Sequence, residues 1–291
     1  MSNTTAKIIA DSISEAGIRI TTLELEYLRF IHSQLMTHRQ FSRSAQSSRA
    51  VPVSKLIENA KKSENPHFMK NQAGMQSFEQ FEKWELYYAN QYWDAAKDYQ
   101  ITQAELLLDL GVHKQFANRL LEPFTTIKVV VTATEWQNFF ELRLDHAAQP
   151  EMQELAQAMK TAMNESTPNL LKAGEWHLPY VSIEEQKAEG IEISKKLSTA
   201  RCARVSYLNH DNSNPLTSRD IELFSTLVAE NPKHASPAEH QATPMECPTL
   251  DYYGEQFRNL FVEDGITHID KNRNYWSGNF RGFIQHRQIL G

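Results

Sequence analysis

Residues 37–49 read THRQFSRSAQSSR, and the stretch from His38 to Arg49 holds three arginines and four serines with no glycine, proline or acidic residue. This is not an ordinary turn, because the residues that punctuate turns are missing. Arg39, Arg43 and Arg49 can offer bidentate guanidinium forks. Ser42, Ser44, Ser47 and Ser48 add hydroxyl donors, and the combination is the usual chemistry of phosphate binding. A solvated polar loop is the alternative. Against it, the cluster follows an amphipathic helical pattern, runs straight into the apolar AVPV of residues 50–53 and has no acid to neutralise it.

On its N-terminal side, AKIIADSI and IRITTLELEYL alternate apolar and polar residues, which predicts two strands joined by the turn-like SEAG. RFIHSQLMTHR has helical spacing at Phe30, Ile31 and Leu35 and leads into the cluster. On the other side, SKLIENAKK predicts a short helix with Ser54 as its N-cap. From about Ser77 to Leu121 the pattern is helical. TTIKVVVTAT is the clearest strand, a β-branched run bounded by Pro123 and the EW pair,. EWQNFFELRL and EMQELAQAMKTAM read as helices, Pro168 to Pro179 as a loop, and about Glu184–Leu208 and Ser218–Ala229 as two more helices. The C-terminal stretch, rich in Pro, Asn, Tyr and Gly, reads as loops and short elements. Long helices mixed with a few strands predict an α+β fold, a small sheet flanked by long helices, with residues 1–291 as a single domain.

The bulk numbers exclude several classes. A net charge of −6 and a pI near 6.0 argue against a dedicated nucleic-acid partner. Cys202 and Cys247 form no CxxC, so neither a zinc site nor a disulfide framework is expected,. MSNTTAKIIADSISEAG lacks a signal pattern, and no apolar run approaches the ~18 residues of a membrane span. The expectation is a soluble, cytoplasmic protein without a membrane partner. GxSxG, GxGxxG and P-loop motifs are absent.

Two further segments carry candidate residues. In EWQNFFELRLDHAAQPEMQ (135–153), Asn138, Leu142 and Asp145 share one helix side, with Arg143 next to that stripe and beside Phe139,. Arg143 is then either a snorkelling surface cation or a ligand-facing one. In HASPAEH (234–240), the spacing of His234, Glu239 and His240 matches no helical zinc motif, and Pro237 interrupts it,. No metal is expected. A helix starting at Ser236 with Pro237 in its first position fits better, and such a terminus attracts anions.

Taken together, these segments resemble the flavin-dependent thymidylate synthases. That family's signature is RHRxxSxNExSxR, on which His38, Arg39, Ser42, Ser47 and Arg49 fall in register, with Gln34 matching a glutamine used near the pyrimidine. NFFELRLDHAAQPEMQELA resembles a second family block, with Asn138 and Arg143 at its Asn and Arg. GVHKQFANRLLEP resembles a third, in which Arg119 corresponds to a phosphate ligand. HASPAEH resembles HxSPFEH, and ARVSY (203–207) resembles AARVSF. In the family the last two precede the signature; here they follow it, so the resemblance implies a circular permutation. Residues from about 200 to 245 then correspond to the family's N-terminal segment. A helical insert over about 60–100 and the tail NYWSGNFRGFIQHRQ lie outside the resemblance. The signature also diverges: Thr37, Ser44 and Ala45 stand where the family has Arg, Asn and Glu, positions that touch flavin and nucleotide.

The resemblance implies methylation of dUMP at C5, with carbon from methylenetetrahydrofolate, hydride from reduced FAD, NADPH to regenerate it, and no enzyme cysteine. It implies Arg143 as the catalytic residue at the pyrimidine edge. Gln34, Ser47, Ser48, Arg49 and Arg119 would bind substrate, and His38, Arg39, Ser42, Asn138, Ser206, His234 and Ser236 the cofactor. It also implies a homotetramer with sites shared between subunits. Two alternatives stay open: methylation or hydroxymethylation of another pyrimidine nucleotide such as dCMP on the same scaffold, and a non-catalytic nucleotide- or nucleic-acid-binding derivative.

Overall fold

The N-terminal alternation produces a hairpin. In the structure, a computed structural model that describes residues 4–74, 77–205, 216–229, 234–250 and 263–290, β1 (Thr5–Ser14) and β2 (Arg19–Leu28) pair antiparallel, with Thr5 opposite Glu26 and Ile13 opposite Arg19. A 3-10 turn, Arg29–Ile31, and α1 (His32–Met36) follow.

The Ser/Arg cluster is not wholly a loop. Ser42–Ala45 form β3, which pairs antiparallel with Thr132–Val129 of β4 (Thr126–Ala133). Nothing in Ser-Arg-Ser-Ala has high strand propensity; the free edge of β4 makes the strand, a case of tertiary pairing overriding local preference. With β5 (Asn169–Leu171) parallel to β1, the sheet order is β3-β4-β2-β1-β5.

Between β3 and β4 lie α2 (Val53–Lys62), α3 (Lys83–Asp109) and α4 (Lys114–Ala117). Two sequence expectations are corrected here. α2 starts at Val53 with Pro52, not Ser54, as its N-cap. The helical pattern starts at Lys83 rather than Ser77, because Glu82 and Glu85 form a reciprocal capping box that sets the boundary,. α2, α3 and the turn after α4 share a core of Leu56, Ile57, Ala60, Ile101, Ala104 and Leu121.

After β4 come α5 (Gln137–Arg143) and α6 (Pro150–Glu165). The main core lies on one sheet face, where Leu23, Leu25, Tyr27, Ile127, Val129 and Val131 meet Phe139 of α5 and Met152, Leu155 and Met159 of α6. The predicted helix from Glu184 is in fact two, α7 (Ile183–Glu189) and α8 (Ile191–Ala203). Gly190 separates them at φ 78°, a left-handed conformation that ends a helix. Leu208, the expected end, lies outside the described residues. α9 (Thr217–Phe224) continues into one π turn, Ser225–Ala229. The helical start read at Ser236 is a 3-10 turn, Ser236–Glu239, with Pro237 in its first turn.

The C-terminal stretch forms β6 (Ala242–Pro244), β7 (His268–Ile269), β8 (Tyr275–Ser277), β9 (Phe280–Arg281), β10 (Phe283–Gln285) and α10 (His286–Ile289). β10 pairs with β6, and β7, β8 and β9 form a small sheet. This C-terminal unit, with His177 and Tyr180 from the loop before α7, contributes partners to the second face of the main sheet at Thr22, Glu24, Thr132, Ser42 and Ser44. Both faces of β4 are therefore buried, and this is why its sequence runs Val129, Val130, Val131 without alternation,. The architecture is α+β, as the sequence predicts. No helix of the described residues is long and apolar enough to cross a membrane.

Candidate active site

α1 and α5 meet at His38. The His38 ring packs edge-on to Phe139, with centroids 4.9 Å apart, and stacks on Phe41 at 5.7 Å. Arg143, the last residue of α5, donates from Nε to His38 Nε2 at 2.9 Å and from Nη2 to Thr37 Oγ1 at 3.2 Å. Because Nε2 accepts, the ring is neutral with its hydrogen on Nδ1. Burial, then the Arg143 and Arg43 charges, push the His38 pKa down to about 4. Arg43 is itself tied to the main chain, donating to the carbonyls of Met36 at 2.7 Å and His38 at 3.2 Å. Gln34 donates to Gln149 Oε1 at 2.5 Å, and Gln149 donates to Glu151. Residues 34, 37, 38 and 143 therefore form one hydrogen-bonded cluster, with Arg143 Nη2 also 3.4 Å from the Gln34 carbonyl; Arg39 and Asn138 are exposed.

A second cluster follows β3. The Ser48 hydroxyl donates to Glu122 Oε1 at 2.6 Å, Arg119 Nη1 donates to the same oxygen at 2.9 Å, and Arg29 Nη2 lies 3.1 Å from it. The buried Asn118 clamps the loop by donating to the carbonyls of Ser48 at 2.7 Å and Val51 at 2.9 Å. Ser47, Arg49 and Arg119 are exposed. The structure thus brings Ser48 and Arg119 together, through a carboxylate that sequence reasoning did not single out.

On the second face of β3 the C-terminal unit closes in. Ser42 is buried and donates to Asn279 Oδ1 at 3.1 Å; Gln285 Nε2 donates to Ser42 at 3.2 Å and to the Glu239 carbonyl at 3.0 Å. Ser42 therefore braces the strand from behind and is not open to solvent. Ser44 is bonded to His240 Nε2 at 2.9 Å, and the turn Ser236–Glu239 packs against β3. The HASPAEH segment lies directly beside the Ser/Arg strand despite a separation of 196 residues between Ser44 and His240. His234 and Ser236 are exposed, Glu239 is ion-paired with Arg287, and Ser206 lies outside the described residues.

Seven residues here escaped the sequence reading: Arg29, Asn118, Glu122, Gln149, Glu151, Asn279 and Gln285. The only signal for the last two was the pair of glycines in SGNFRGF. Gly278 and Gly282 take φ of 59° and 69°, and a Cβ on Gly282 would strike Ile18.

Residues 19–169 match the family described as Thymidylate synthase complementing protein. The chain belongs to that family. The family match contains both clusters, from Arg29 and Gln34 to Glu151, whereas residues 200–245 lie beyond it. No curated protein sequence matches the chain significantly. Among solved structures it is similar to the UMP/dUMP methylase PolB from Streptomyces cacaoi. The form bound with 5-Br UMP shares 17% identity at a TM-score of 0.47, covering 57% of this chain and 90% of that one. The form bound with 5-Br dUMP shares 15% identity at 0.46, covering 57% and 91%.

Proposed function

We propose that this family member transfers a one-carbon unit to C5 of a pyrimidine deoxynucleotide, dUMP first among them, with FAD as its redox cofactor and methylenetetrahydrofolate and NADPH as co-substrates. The observation that carries the reading is the bond from Arg143 to His38, which joins two motifs 105 residues apart into one site.

The donor set suits these ligands. Arg143 keeps guanidinium N–H groups beside a neutral imidazole, and such a fork recognises a pyrimidine O2/N3 edge and stabilises negative charge there as C5 becomes nucleophilic. Ser47, Ser48, Arg49 and Arg119 are assigned to the nucleotide phosphate and sugar, with Gln34 near the base. His38, Arg39, Asn138, Ser206, His234 and Ser236 are assigned to FAD, with Ser42 bracing β3 from behind. The chemistry FAD supplies when bound is hydride donation; the residues orient the ligands and exclude water. Burial pushes the Cys202 thiol well above its ordinary range, which argues against Cys202 as an enzyme thiolate. Ser44 and Ala45, at positions where the resemblance places flavin and nucleotide, favour a second reading in which dCMP is methylated or hydroxymethylated. A homotetramer in a cytoplasmic setting completes the proposal.

The test is the visible absorption spectrum of the FAD-supplemented protein titrated with dUMP. Retained flavin bands that shift with dUMP support the reading. Bands that respond to dCMP alone select the second reading, and loss of flavin on purification selects a non-catalytic derivative. Arg143→Ala is expected to abolish turnover with the fold intact by circular dichroism; full activity in that variant removes Arg143 from the site.

A further inference from the structure

Behind β3 runs an unbroken line of hydrogen bonds across four strands of the sheet. Ser12 Oγ on β1 is 2.9 Å from His177 Nδ1, and His177 Nε2 is 2.8 Å from Thr22 Oγ1 on β2. Thr22 is 2.7 Å from Thr132 Oγ1 on β4, Thr132 is 2.8 Å from His240 Nδ1, and His240 Nε2 is 2.9 Å from Ser44 Oγ on β3. Every group between the ends is buried, with Thr22, Thr132 and His240 at 0% exposure and His177 at 1%; only Ser44 is half-open to solvent.

The hydrogen count of this line decides how it behaves. Each ring is neutral, since burial pushes both His177 and His240 down to a pKa of about 3. The four hydroxyls and two imidazoles then carry one hydrogen each, six for five bonds. One hydrogen is left over, and its owner must accept from both sides or sit at an end. A neutral imidazole cannot accept at both nitrogens and keep its hydrogen. A threonine could, but its own hydrogen would then point at no acceptor in a dry interior, which is costly. That leaves the two ends. Of these, Ser44 is half-open to solvent and Ser12 is 5% exposed, so the spare hydrogen rests on Ser44 in the free protein and sits on Ser12 only when a ligand donor occupies Ser44. With the spare hydrogen on Ser44, both rings carry theirs on Nε2. With it on Ser12, both carry theirs on Nδ1. The two arrangements hold the same six hydrogens; passing from the first to the second moves the hydrogen of every bond to its other heavy atom, so that Ser44 releases one proton to water, Ser12 takes one up, and each ring's hydrogen ends on its other nitrogen.

We propose that Ser12, His177, Thr22, Thr132, His240 and Ser44 form a positioning relay in which the two buried imidazoles adopt the same tautomer and reverse together, so that Ser44 presents a donor to a ligand acceptor or an acceptor to a ligand donor. The relay goes beyond the activity proposed above. Only its ligand rests on that reading, as a flavin or pyrimidine ring with carbonyl acceptors and an imide donor. His177 is then a reporter of what sits at Ser44 across the full width of β2 and β4. It is a positioning residue that touches no ligand.

The experiment is nitrogen NMR of protein labelled with [15N]histidine, with the two rings assigned from His177→Gln and His240→Gln. It is run without ligand, with FAD, and with FAD and dUMP. In the free protein both rings are expected to show the same protonated nitrogen. On ligand binding, read independently from the flavin absorption spectrum, both are expected to move in the same sense. Thr132→Val, which keeps the shape and removes the hydroxyl, is expected to abolish the His177 response while His240 still responds; Thr22→Val should do the same. Opposite tautomers in the free protein, or a bound ligand to which His240 responds and His177 does not, overturn the relay while leaving the flavin reading intact. If neither FAD nor dUMP binds, the flavin reading falls, and the ligand-free spectrum still decides the relay.

Discussion

At the scale of single residues, the site rests on one asymmetric contact. Arg143 uses Nε to hold His38, which fixes the guanidinium plane and leaves its remaining N–H groups aimed by that bond. Lysine has the charge without the plane or the Nε donor. Arg143→Lys should therefore keep the local electrostatics and lose the orientation. A hydrogen bond involving a charged group contributes about 1.5–3 kcal/mol, so turnover is expected to fall about 10- to 100-fold with little change in melting temperature. Steady-state kinetics beside a thermal melt checks this, and wild-type turnover in the lysine variant would mean that charge alone matters. The sequence left Arg143 undecided between a snorkelling and a ligand-facing cation for a physical reason. Helical spacing reports only which neighbours share a turn, and the partner that decides the matter is 105 residues away.

At the scale of elements, legibility followed periodicity. β1, β2 and β4 were readable because their alternation or β-branched content is local. β3 was not, because pairing with Val129–Thr132 makes it a strand. The break between α7 and α8 had a local sign in Gly190, but a glycine inside a helical pattern does not by itself announce a left-handed φ. The C-terminal tail was least legible, since its short strands exist by packing on Ile18, Ile20 and Ala242 and its contribution is to carry Asn279 and Gln285 to Ser42. Gly282 is the turn that makes this possible. At φ 69° an L side chain is strained by about 1–2 kcal/mol, and its Cβ would also strike Ile18. Gly282→Ala is thus expected to lower the melting temperature by at least about 2–4 °C and to loosen the brace behind β3. An unchanged melt would show that β9 and β10 tolerate the turn otherwise.

At the scale of the whole molecule, α3 presents a surface that the other described residues leave uncovered. Trp84, Tyr88, Tyr92, Tyr99 and Leu106 are all at least half exposed, and their spacings of four and seven place them on one stripe of a 27-residue helix,. Such a helix is about 40 Å long. Soluble monomers rarely leave so continuous an apolar face to water. Each buried aromatic contributes ~150–250 Å², so the stripe offers several hundred square ångströms per copy, the scale of an interface core. A second copy of the chain is the occupant that fits the proposed homotetramer, because a two-fold axis sets identical stripes against each other without requiring a second complementary patch. The chain is accordingly expected to sediment as a dimer or larger species. Tyr88→Glu with Tyr92→Glu should shift it to the monomer without unfolding, because both side chains are on the outside. A monomeric wild type in sedimentation velocity would remove α3 as an interface. A variant that stays assembled would move the contact to another face and leave the stripe without an occupant.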